Sequence, residues 1–364
     1  MREASNQKVI TALGNALVAN IPEWYGQGAT LQAESADLRA YPYSFFVSFP
    51  IQTSSGEQTL FAKIHRKPYM ATLNEALAAE WLRPIARDEY EMTRVISRAF
   101  DEENSPMCTA IQPLGLMDEW NAILMRKVNG KPLKKYLLRP SVVLRFPSAL
   151  AELQQYLKSS ITWLRVFHDR VAGTHIAPFP VNDATELIHE ILAKLDRQSK
   201  GQVDVEAYRF ALLKQLECIG ALSVPVGLLH DDFQYSNILI EPDGRACVLD
   251  YALNYQGCIY SDLATLMIDP QTREIQILSG GRFIAPGFIR AFNQTVLSAY
   301  FNGEPFHKTV LDFYCALAVL NKWSADEAEI ANGWRKKLSS IFSRVTRRYY
   351  AKLLTRYLQI DPSH

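Results

Sequence analysis

Acidic and amide side chains gather at the start of one aliphatic run. The stretch LLHDDFQYSNILI, residues 228–240, carries His230, Asp232 and Asn237 just before the apolar residues that end it. A further carboxylate, Asp250, closes the next apolar run. Carboxylate and amide oxygens suit Mg²⁺, and a carboxylate beside them can accept a hydroxyl proton. These residue types predict metal-assisted attack of a hydroxyl group on phosphorus.

A hairpin is needed to bring these side chains together. Asp243-Gly244 is a strong hairpin-turn signal, and it lies between the apolar runs 237–240 and 246–249. The two strands then carry Asn237 and Asp250 to the same end of one hairpin. The sequence therefore predicts a single locus for the amide, this carboxylate and the nearby Asp232.

The first third of the chain predicts a small, mainly antiparallel sheet with one helix. Residues 44–51 and 58–66 alternate as strands around a turn rich in serine and glycine, and Lys63 lies on the second strand. A helical pattern covers residues 73–100 and is broken near Pro84. Residues 122–128 form a further strand candidate.

The rest of the chain predicts helices. Residues 148–171 repeat leucine, isoleucine and phenylalanine at spacings of three and four, and residues 184–195 and 205–219 behave likewise. From residue 262 onward the pattern is helical again. The chain is therefore expected to be an α+β protein with the sheet at its N-terminal end.

Composition restricts the class of protein. The chain has 364 residues, 48% hydrophobic and 21% charged, with a formal net charge of +1, which predicts a folded protein with no global attraction to nucleic acid. Five cysteines are scattered without a C-x-x-C pair, which favours reduced thiols in a cytoplasm. The sequence predicts neither a signal peptide nor a membrane span.

The joint spacing of these motifs resembles that of a known family. The matching positions are His230, Asp232, Asn237, Asp250-Tyr251, Gly257 and the sequence DLA at 262–264. Together they resemble the protein-kinase-like fold, and most closely its aminoglycoside phosphotransferase and choline-kinase branch. The likeness covers roughly residues 44–267. It implies a bilobal fold, with a small antiparallel-sheet N-lobe over 1–128 and a larger, mainly helical C-lobe over 129–364.

The resemblance also implies cofactors and roles. It implies ATP and Mg²⁺, with Asp232 as the catalytic residue that faces the acceptor hydroxyl. Asn237 and Asp250 would hold the metal. Lys63 would pair with the ATP phosphates and with a glutamate on a helix.

Further roles concern the nucleotide and the loop. Glu89 is the expected partner of Lys63, because Met92 and Ile96 share its side of the helix; Glu91 is the alternative. By resemblance, His230 and Asp262 support the catalytic loop. The resemblance also places the backbone near Ser44 against phosphate and that of residues 126–128, from Arg126 to Val128, against adenine.

Two departures from the family pattern keep an alternative open. Asp231 replaces the glycine of the family's H-G-D motif, which places a further carboxylate beside the metal locus. The segment RAYPYSFF, where the phosphate-covering loop is expected, contains no glycine. A catalytically inactive kinase-fold binding module is therefore the alternative to an enzyme.

The acceptor is expected to be a small molecule. The segment from Asp250 to Asp262 is too short for the activation segment of a protein kinase, and Gln234 replaces the lysine usual in that class. A protein kinase is thus a weaker alternative. A neutral or anionic, sugar-like hydroxyl acceptor is favoured, because the C-terminal third is not acidic enough for a polycation.

A basic amphipathic helix is expected near the C-terminus. Between Glu329 and Asp361 there is no carboxylate. The basic residues in this segment are Arg335, Lys336, Lys337, Arg344, Arg347, Arg348, Lys352 and Arg356. The alternatives are a solvated face of a packed helix and a surface that contacts an anionic acceptor, an anionic glycan or a membrane.

Overall fold

A computed structural model describes residues 2–143, 147–251, 255–332 and 339–358. The chain divides into two compact units. The N-terminal unit comprises residues 1–105 and 109–130, and the C-terminal unit comprises residues 106–108 and 131–364.

The N-terminal unit contains a six-stranded antiparallel sheet. Its strands are β1 (Thr30–Leu31), β2 (Asp37–Ala40), β3 (Ser44–Thr53), β4 (Gly56–His65), β5 (Pro113–Met117) and β6 (Ala122–Arg126). The order is β1-β3-β4-β6-β5, and β2 also pairs with β3. The sheet therefore has the hairpin β3–β4 at its centre, and β4 lies between β3 and β6.

The alternation of buried and less buried side chains along β3 fixes the register of the β3–β4 hairpin. Phe45, Val47, Phe49 and Ile51 of β3 are each at most 1% exposed, so one face of the strand is wholly buried. A slip of one residue would turn these side chains to the opposite face. The tight turn ends at Gly56, whose φ of 116° lies in the region that favours glycine.

Helices cover the sheet of the N-terminal unit. They are α1 (Arg2–Leu17), α2 (Ile21–Tyr25), α3 (Leu73–Leu77) and α4 (Arg83–Glu103), with 3₁₀ turns at Val18–Asn20, Ala33–Ser35, Glu80–Leu82 and Asp118–Trp120. The helical pattern predicted over 73–100 is thus two helices, and Pro84 stands in the first turn of the second one. Proline is tolerated there because the first amides of a helix have no partner within the helix.

Helices dominate the C-terminal unit, as the sequence predicts. They are α5 (Leu133–Leu137), α6 (Pro140–Val143), α7 (Pro147–Arg170), α8 (Val181–Ser199), α9 (Val205–Ile219), α10 (Tyr260–Ile268), α11 (Glu274–Leu278), α12 (Pro286–Phe301), α13 (Lys308–Asn332) and α14 (Ser339–Leu358), with a 3₁₀ turn at Asp269–Thr272. None of the helices in the described ranges is both long enough and apolar enough to cross a bilayer.

Two three-stranded sheets complete the C-terminal unit. Their strands are β7 (Lys131–Pro132), β8 (His175–Pro178), β9 (Ser223–Leu228), β10 (Ile238–Ile240), β11 (Ala246–Val248) and β12 (Gln256–Cys258). One sheet has the order β11-β10-β7 and the other β12-β9-β8. The hairpin β10–β11 is the one that the Asp-Gly turn predicts, and Ile238 pairs with Val248 in it.

Candidate active site

Lys63 of β4 is buried in the N-terminal unit and bound to a glutamate of α4. Its Nζ donates to Glu89 Oε1 at 2.7 Å, and the lysine is only 8% exposed. Burial opposes ionisation of Glu89, but Lys63 and His65 outweigh it and lower the pKa of the carboxyl to about 2. Glu91, the alternative partner, instead forms an exposed pair with Arg94 at 2.9 Å. The two charges of the buried pair therefore compensate each other where water is scarce.

His65 also contacts this pair, and the sequence argument missed it. Its Nε2 lies 2.8 Å from Glu89 Oε2, so the carboxylate lies between a lysine and a histidine. Strand periodicity contained the signal, because residues two apart on a strand point to the same face. Lys63 and His65 stand two apart on β4, so both point to the face of the strand that Glu89 contacts.

Two of the three backbone amides expected to face the nucleotide are hydrogen-bonded within the protein. The amide of Arg126 donates to Gln112 O at 3.0 Å, and that of Lys127 donates to Thr59 O at 3.1 Å. Within the described residues the amide of Val128 makes no backbone hydrogen bond. Of the segment predicted to meet adenine, Val128 is thus the position whose amide is available.

A tight turn replaces the expected phosphate-covering loop. The carbonyl of Ser44 accepts from the amide of Tyr41 at 2.8 Å, which closes the connection between β2 and β3. Ser44 is 8% exposed, whereas Tyr43 at the tip is 65% exposed. The glycine-free sequence therefore forms a short hairpin connection with two exposed aromatic rings, those of Tyr41 and Tyr43.

Residues of the loop 230–237 in the C-terminal unit are hydrogen-bonded to one another. The Nδ2 of Asn237 donates to Asp232 Oδ2 at 2.7 Å and to the main-chain oxygen of Asp232 at 3.0 Å. The β10–β11 hairpin then brings the next strand alongside, because the amide of Leu249 donates to the carbonyl of Asn237 at 2.9 Å. Asp250 follows Leu249 directly. The structure thus brings Asn237 and Asp232 into contact and places Asp250 directly after the residue that is hydrogen-bonded to Asn237.

His230 lies beneath this loop in an aromatic cluster. It is fully buried, and the rings of Trp163, Phe233 and Tyr251 pack within 5.9 Å of it, measured between ring centroids. Burial lowers the pKa of His230, although Asp262, Asp232 and Asp250 act in the opposite direction. A neutral ring can accept a hydrogen bond at Nδ1, and the amide of Asp232 lies 3.3 Å from that atom. His230 therefore supports the backbone of the loop from below.

Asp262 of α10 also holds this loop. Its two carboxylate oxygens accept the amides of His230 and Asp231, each at 2.9 Å. The side chain is 1% exposed, so these bonds satisfy a carboxylate that would otherwise be costly to bury. His168, which the sequence argument did not single out, adds Nε2 at 3.1 Å from Asp262 Oδ2.

The histidine is itself held by a tyrosine. The hydroxyl of Tyr300 lies 2.6 Å from His168 Nδ1. With the ring proton on Nε2 facing Asp262, the tyrosine hydroxyl donates to Nδ1. Burial raises the pKa of Tyr300, which keeps its proton in place. The loop 230–237 is thus anchored to α7 and α12 through three buried polar side chains.

Asp231 occupies the position where the family has glycine. Its φ is 63°, in the left-handed region where aspartate is tolerated and glycine is unstrained. Burial, followed by the fields of Asp262 and Asp232, raises the pKa of Asp231 to about 6. The backbone geometry therefore explains the family's glycine, and the carboxylate is an added feature of this chain.

Comparison of the sequence with known proteins finds no match, whereas comparison of the structure does. No family model matches the sequence, and no curated protein sequence matches it significantly. Solved structures do match. A protein of Ralstonia eutropha JMP134, provisionally assigned as an aminoglycoside phosphotransferase, is 14% identical with a TM-score of 0.56, over 95% of this chain and 98% of its own.

Two further structures have the same fold. Macrolide 2′-phosphotransferase MphH from Brachybacterium faecium is 13% identical with a TM-score of 0.50, over 93% of this chain and 97% of its own. Choline kinase from Cryptosporidium parvum Iowa II is 11% identical with a TM-score of 0.50, over 95% and 97% respectively. The chain therefore has the protein-kinase-like fold, in the form seen in small-molecule phosphotransferases and choline kinases.

Proposed function

We propose that this protein is an ATP- and Mg²⁺-dependent phosphotransferase that acts on a hydroxyl group of a small molecule. The observation that carries the proposal is the contact between Asn237 and Asp232 at 2.7 Å, at the end of the hairpin that also delivers Asp250. The amide of Asn237 and the carboxylate of Asp232 meet there, on a loop that the buried Asp262 holds, and Asp250 directly follows the residue bonded to Asn237. Convergent, supported polar groups are what phosphoryl transfer requires of a protein.

The donor set fits magnesium. Asn237 donates through Nδ2, which leaves its amide oxygen for a hard cation, and Asp250 adds a carboxylate. No group of three or more histidine, cysteine, aspartate or glutamate side chains that could enclose a metal occurs in the described ranges. A site of one amide and one carboxylate suits Mg²⁺, which keeps water and phosphate oxygens as its other ligands. When bound, the metal supplies charge neutralisation for the ATP phosphates.

The buried lysine fits a nucleotide phosphate. Glu89 fixes the ammonium of Lys63 at 2.7 Å, so this cation is preorganised and does not depend on a mobile side chain. Lys63 would contact phosphate oxygens, and the available amide of Val128 would contact the base. Ser44 would contribute backbone near the phosphates.

Asp232 would orient the acceptor hydroxyl and receive its proton. Gln234 Nε2 donates to one carboxylate oxygen at 2.8 Å and Asn237 Nδ2 donates to the other at 2.7 Å. These two bonds fix the plane of the carboxylate and leave lone pairs on each oxygen for an incoming hydroxyl. The side chain is exposed, so a substrate can approach it.

A small, sugar-like acceptor that is neutral or anionic remains the favoured substrate class. The strand β12 begins at Gln256 and the helix α10 begins at Tyr260, which leaves little chain after Asp250 for a peptide-binding segment. The alternative of a non-catalytic binding module keeps the same fold and predicts nucleotide-independent ligand binding. Protein phosphorylation is the weaker alternative.

Nucleotide binding separates the enzyme from the binding module. We expect ATP with Mg²⁺ at a hundred times its dissociation constant to raise the free energy of unfolding by about 2.7 kcal/mol. A screen of hydroxyl compounds for acceptor-dependent ADP formation then tests catalysis. No thermal shift with ATP and Mg²⁺, and no acceptor-dependent ADP, would contradict the proposal and favour the binding module.

The environment proposed for the protein is the cytoplasm. All five cysteines are free, four of them buried and Cys218 exposed. An exposed free thiol is easily oxidised outside a reducing compartment, which supports this assignment.

A row of exposed cations on α14 supports a further, separate proposal. Arg344, Arg348, Lys352 and Arg356 recur every fourth residue and are all exposed, whereas Arg347 pairs with Glu327 at 2.8 Å. The basic positions 335–337 (Arg335, Lys336 and Lys337) lie outside the described residues. The row extends about 18 Å along the helix. We infer that it contacts an anionic membrane surface, and a glycan is the alternative.

Vesicle binding tests this contact. Each cation near an anionic surface contributes about 1 kcal/mol, so Arg348→Glu with Lys352→Glu should weaken binding to phosphatidylserine vesicles by more than about tenfold. Vesicles of phosphatidylcholine alone are the control. Equal binding of both vesicle types, or no effect of the double variant, would contradict the contact.

A further inference from the structure

A lysine of α13 reaches the catalytic loop within the C-terminal unit. The Nζ of Lys322 donates to Gln234 Oε1 at 3.1 Å, and Gln234 Nε2 donates to Asp232 Oδ1 at 2.8 Å. One side-chain amide therefore connects the ammonium to the carboxylate proposed to receive the acceptor hydroxyl. Amide bond lengths limit the distance from Lys322 Nζ to Asp232 Oδ1 to at most about 8.5 Å.

Lys322 forms no direct ion pair with any residue that the structure describes. Among the described residues its only hydrogen-bond partner is the neutral side chain of Gln234. An ammonium has three donors, so two remain for another acceptor. The side chain is half-buried, which makes an uncompensated charge at this position more costly than on an open surface.

The buried carboxylate on which Lys322 acts electrostatically is already paired with another cation. Asp269 is 2% exposed, and Arg273 Nη2 contacts its two oxygens at 2.9 and 3.0 Å. Lys322 and Lys134 also act on Asp269 electrostatically. Arg273 therefore supplies the direct ion pair of Asp269, and Lys322 acts on this carboxylate only through its electrostatic field.

The position of Lys322 is rigid. The next residue, Trp323, is 1% exposed, and its Nε1 donates to Glu327 Oε1 at 3.2 Å. Ser324 is fully buried. The helix backbone is therefore fixed, and the bond to Gln234 restricts the lysine side chain, which lowers the entropy lost when a ligand binds.

We propose that Lys322, held by Gln234, binds an anionic group of the acceptor whose hydroxyl lies at Asp232. The group would be a carboxylate or a phosphate ester, separated from the hydroxyl by a distance comparable to the width of one sugar ring. The substrate class becomes a small sugar acid or sugar phosphate. This inference rests on the proposed function for the role of Asp232, but the anion site itself can be tested without turnover.

Anion binding at Lys322 can be observed directly by NMR. Protein labelled with ¹³C at lysine Cε gives a resonance for each lysine. The resonance that disappears in Lys322→Met is assigned to Lys322. We expect inorganic phosphate and glucuronate to shift this resonance saturably, with dissociation constants in the millimolar range or below. Glucose should bind at least about tenfold more weakly, because it lacks the charge. Sodium chloride at equal ionic strength controls for screening.

A matched lysine provides the control. Lys194 of α8 also donates to a side-chain amide, Asn321 Oδ1, at 3.4 Å, but it is exposed and lies on another helix. Lys194→Met should leave phosphate binding at Lys322 unchanged. The proposal is overturned if the Lys322 resonance fails to move with phosphate and glucuronate up to about 20 mM, or moves equally with sodium chloride.

Activity measurements distinguish an anionic group of the acceptor from the transferred phosphoryl group as the ligand of Lys322. For acceptors found by the screen, Lys322→Met should lower kcat/KM by at least about tenfold for the anionic member of a matched pair and by less than about threefold for the neutral member. Lys322→Arg should retain most of the preference, because the charge is kept. Equal losses of kcat for both members would assign Lys322 to the transferred phosphoryl group and overturn the proposal. Absence of any phosphoryl transfer would contradict the proposed function and leave the NMR result standing.

Discussion

The side-chain amide of Asn237 donates to the carboxylate of Asp232 at 2.7 Å, so the proposed metal ligand and the proposed catalytic aspartate hold each other in place. The same nitrogen donates to the main-chain oxygen of Asp232 at 3.0 Å. Because both bonds use Nδ2, the amide oxygen is the atom left for a metal. The orientation of Asn237 therefore holds Asp232 in place and leaves the amide oxygen of Asn237 for a metal.

Replacing Asn237 tests the metal role. Asn237→Ala should leave ATP binding without metal unchanged and should raise the Mg²⁺ concentration for half-maximal stabilisation by at least about tenfold. Thermal unfolding with ATP at increasing Mg²⁺ measures this. Ser236→Ala, at the adjacent position, is the matched control. An unchanged Mg²⁺ dependence in Asn237→Ala would remove the residue from the metal site.

The buried lysine–glutamate pair predicts a pH-dependent loss of stability. Glu89→Gln leaves Lys63 buried without its counter-charge, which should cost about 3–5 kcal/mol of unfolding free energy at pH 7. Glu89 has its pKa lowered from 4.5 to about 2, so the pair contributes stability above pH 4.5 that is lost as the pH falls toward 2. The difference between variant and wild type should therefore narrow below pH 4.5 in urea unfolding.

Glu91→Gln is the matched control for that variant. Its exposed pair with Arg94 should be worth less than about 1 kcal/mol at any pH. Equal destabilisation by the two substitutions would show that Lys63 does not depend on Glu89.

Asp231 predicts an opposite pH dependence. Its pKa is raised to about 6, so ionisation disfavours the folded state, and stability falls as the pH rises from about 4 through 6. Asp231→Asn should therefore stabilise the protein at pH 8 and have no effect at pH 3.5. Asp231→Gly should be more stable than Asp231→Asn by about 1 kcal/mol at either pH, because glycine also relieves the strain of the positive φ. Thermal unfolding at both values checks this, and destabilisation by Asp231→Asn at pH 8 would contradict it.

The buried bonds behind the loop predict a cost for removing one hydroxyl. Tyr300→Phe leaves His168 Nδ1 without its 2.6 Å partner, which should lower the free energy of unfolding by about 1–3 kcal/mol. Tyr255→Phe, at a residue that is 42% exposed, should have little effect. Urea unfolding compares them, and equal values would mean that the Tyr300 hydroxyl is not needed.

Local patterns predicted much of the fold. The β3–β4 hairpin, the helices over 147–170 and 205–219 and the β10–β11 hairpin each follow from periodicity or turn chemistry within a few residues. The preference for Glu89 over Glu91 came from helix periodicity, and the structure pairs Glu89 with Lys63. Such features could be predicted because the residues that determine them are neighbours in the sequence.

Long-range features could not be predicted in this way. The sheet β12-β9-β8 joins short strands from distant parts of the chain, and no turn signal connects them. Lys322 lies 88 residues from Gln234, so no spacing rule links the two. His168 reads as one more residue of an amphipathic helix. These contacts depend on tertiary packing, which a single sequence does not encode in a local pattern.

The central claim is that Asp232 receives the acceptor proton during transfer of phosphate from ATP. The most direct measurement is formation of a phosphate monoester of the acceptor, followed by ³¹P NMR, in wild type and in Asp232→Asn. We predict that the variant loses at least about a hundredfold in rate while ATP and Mg²⁺ stabilise it as they do the wild type. Monoester formation by Asp232→Asn at the wild-type rate would contradict the account.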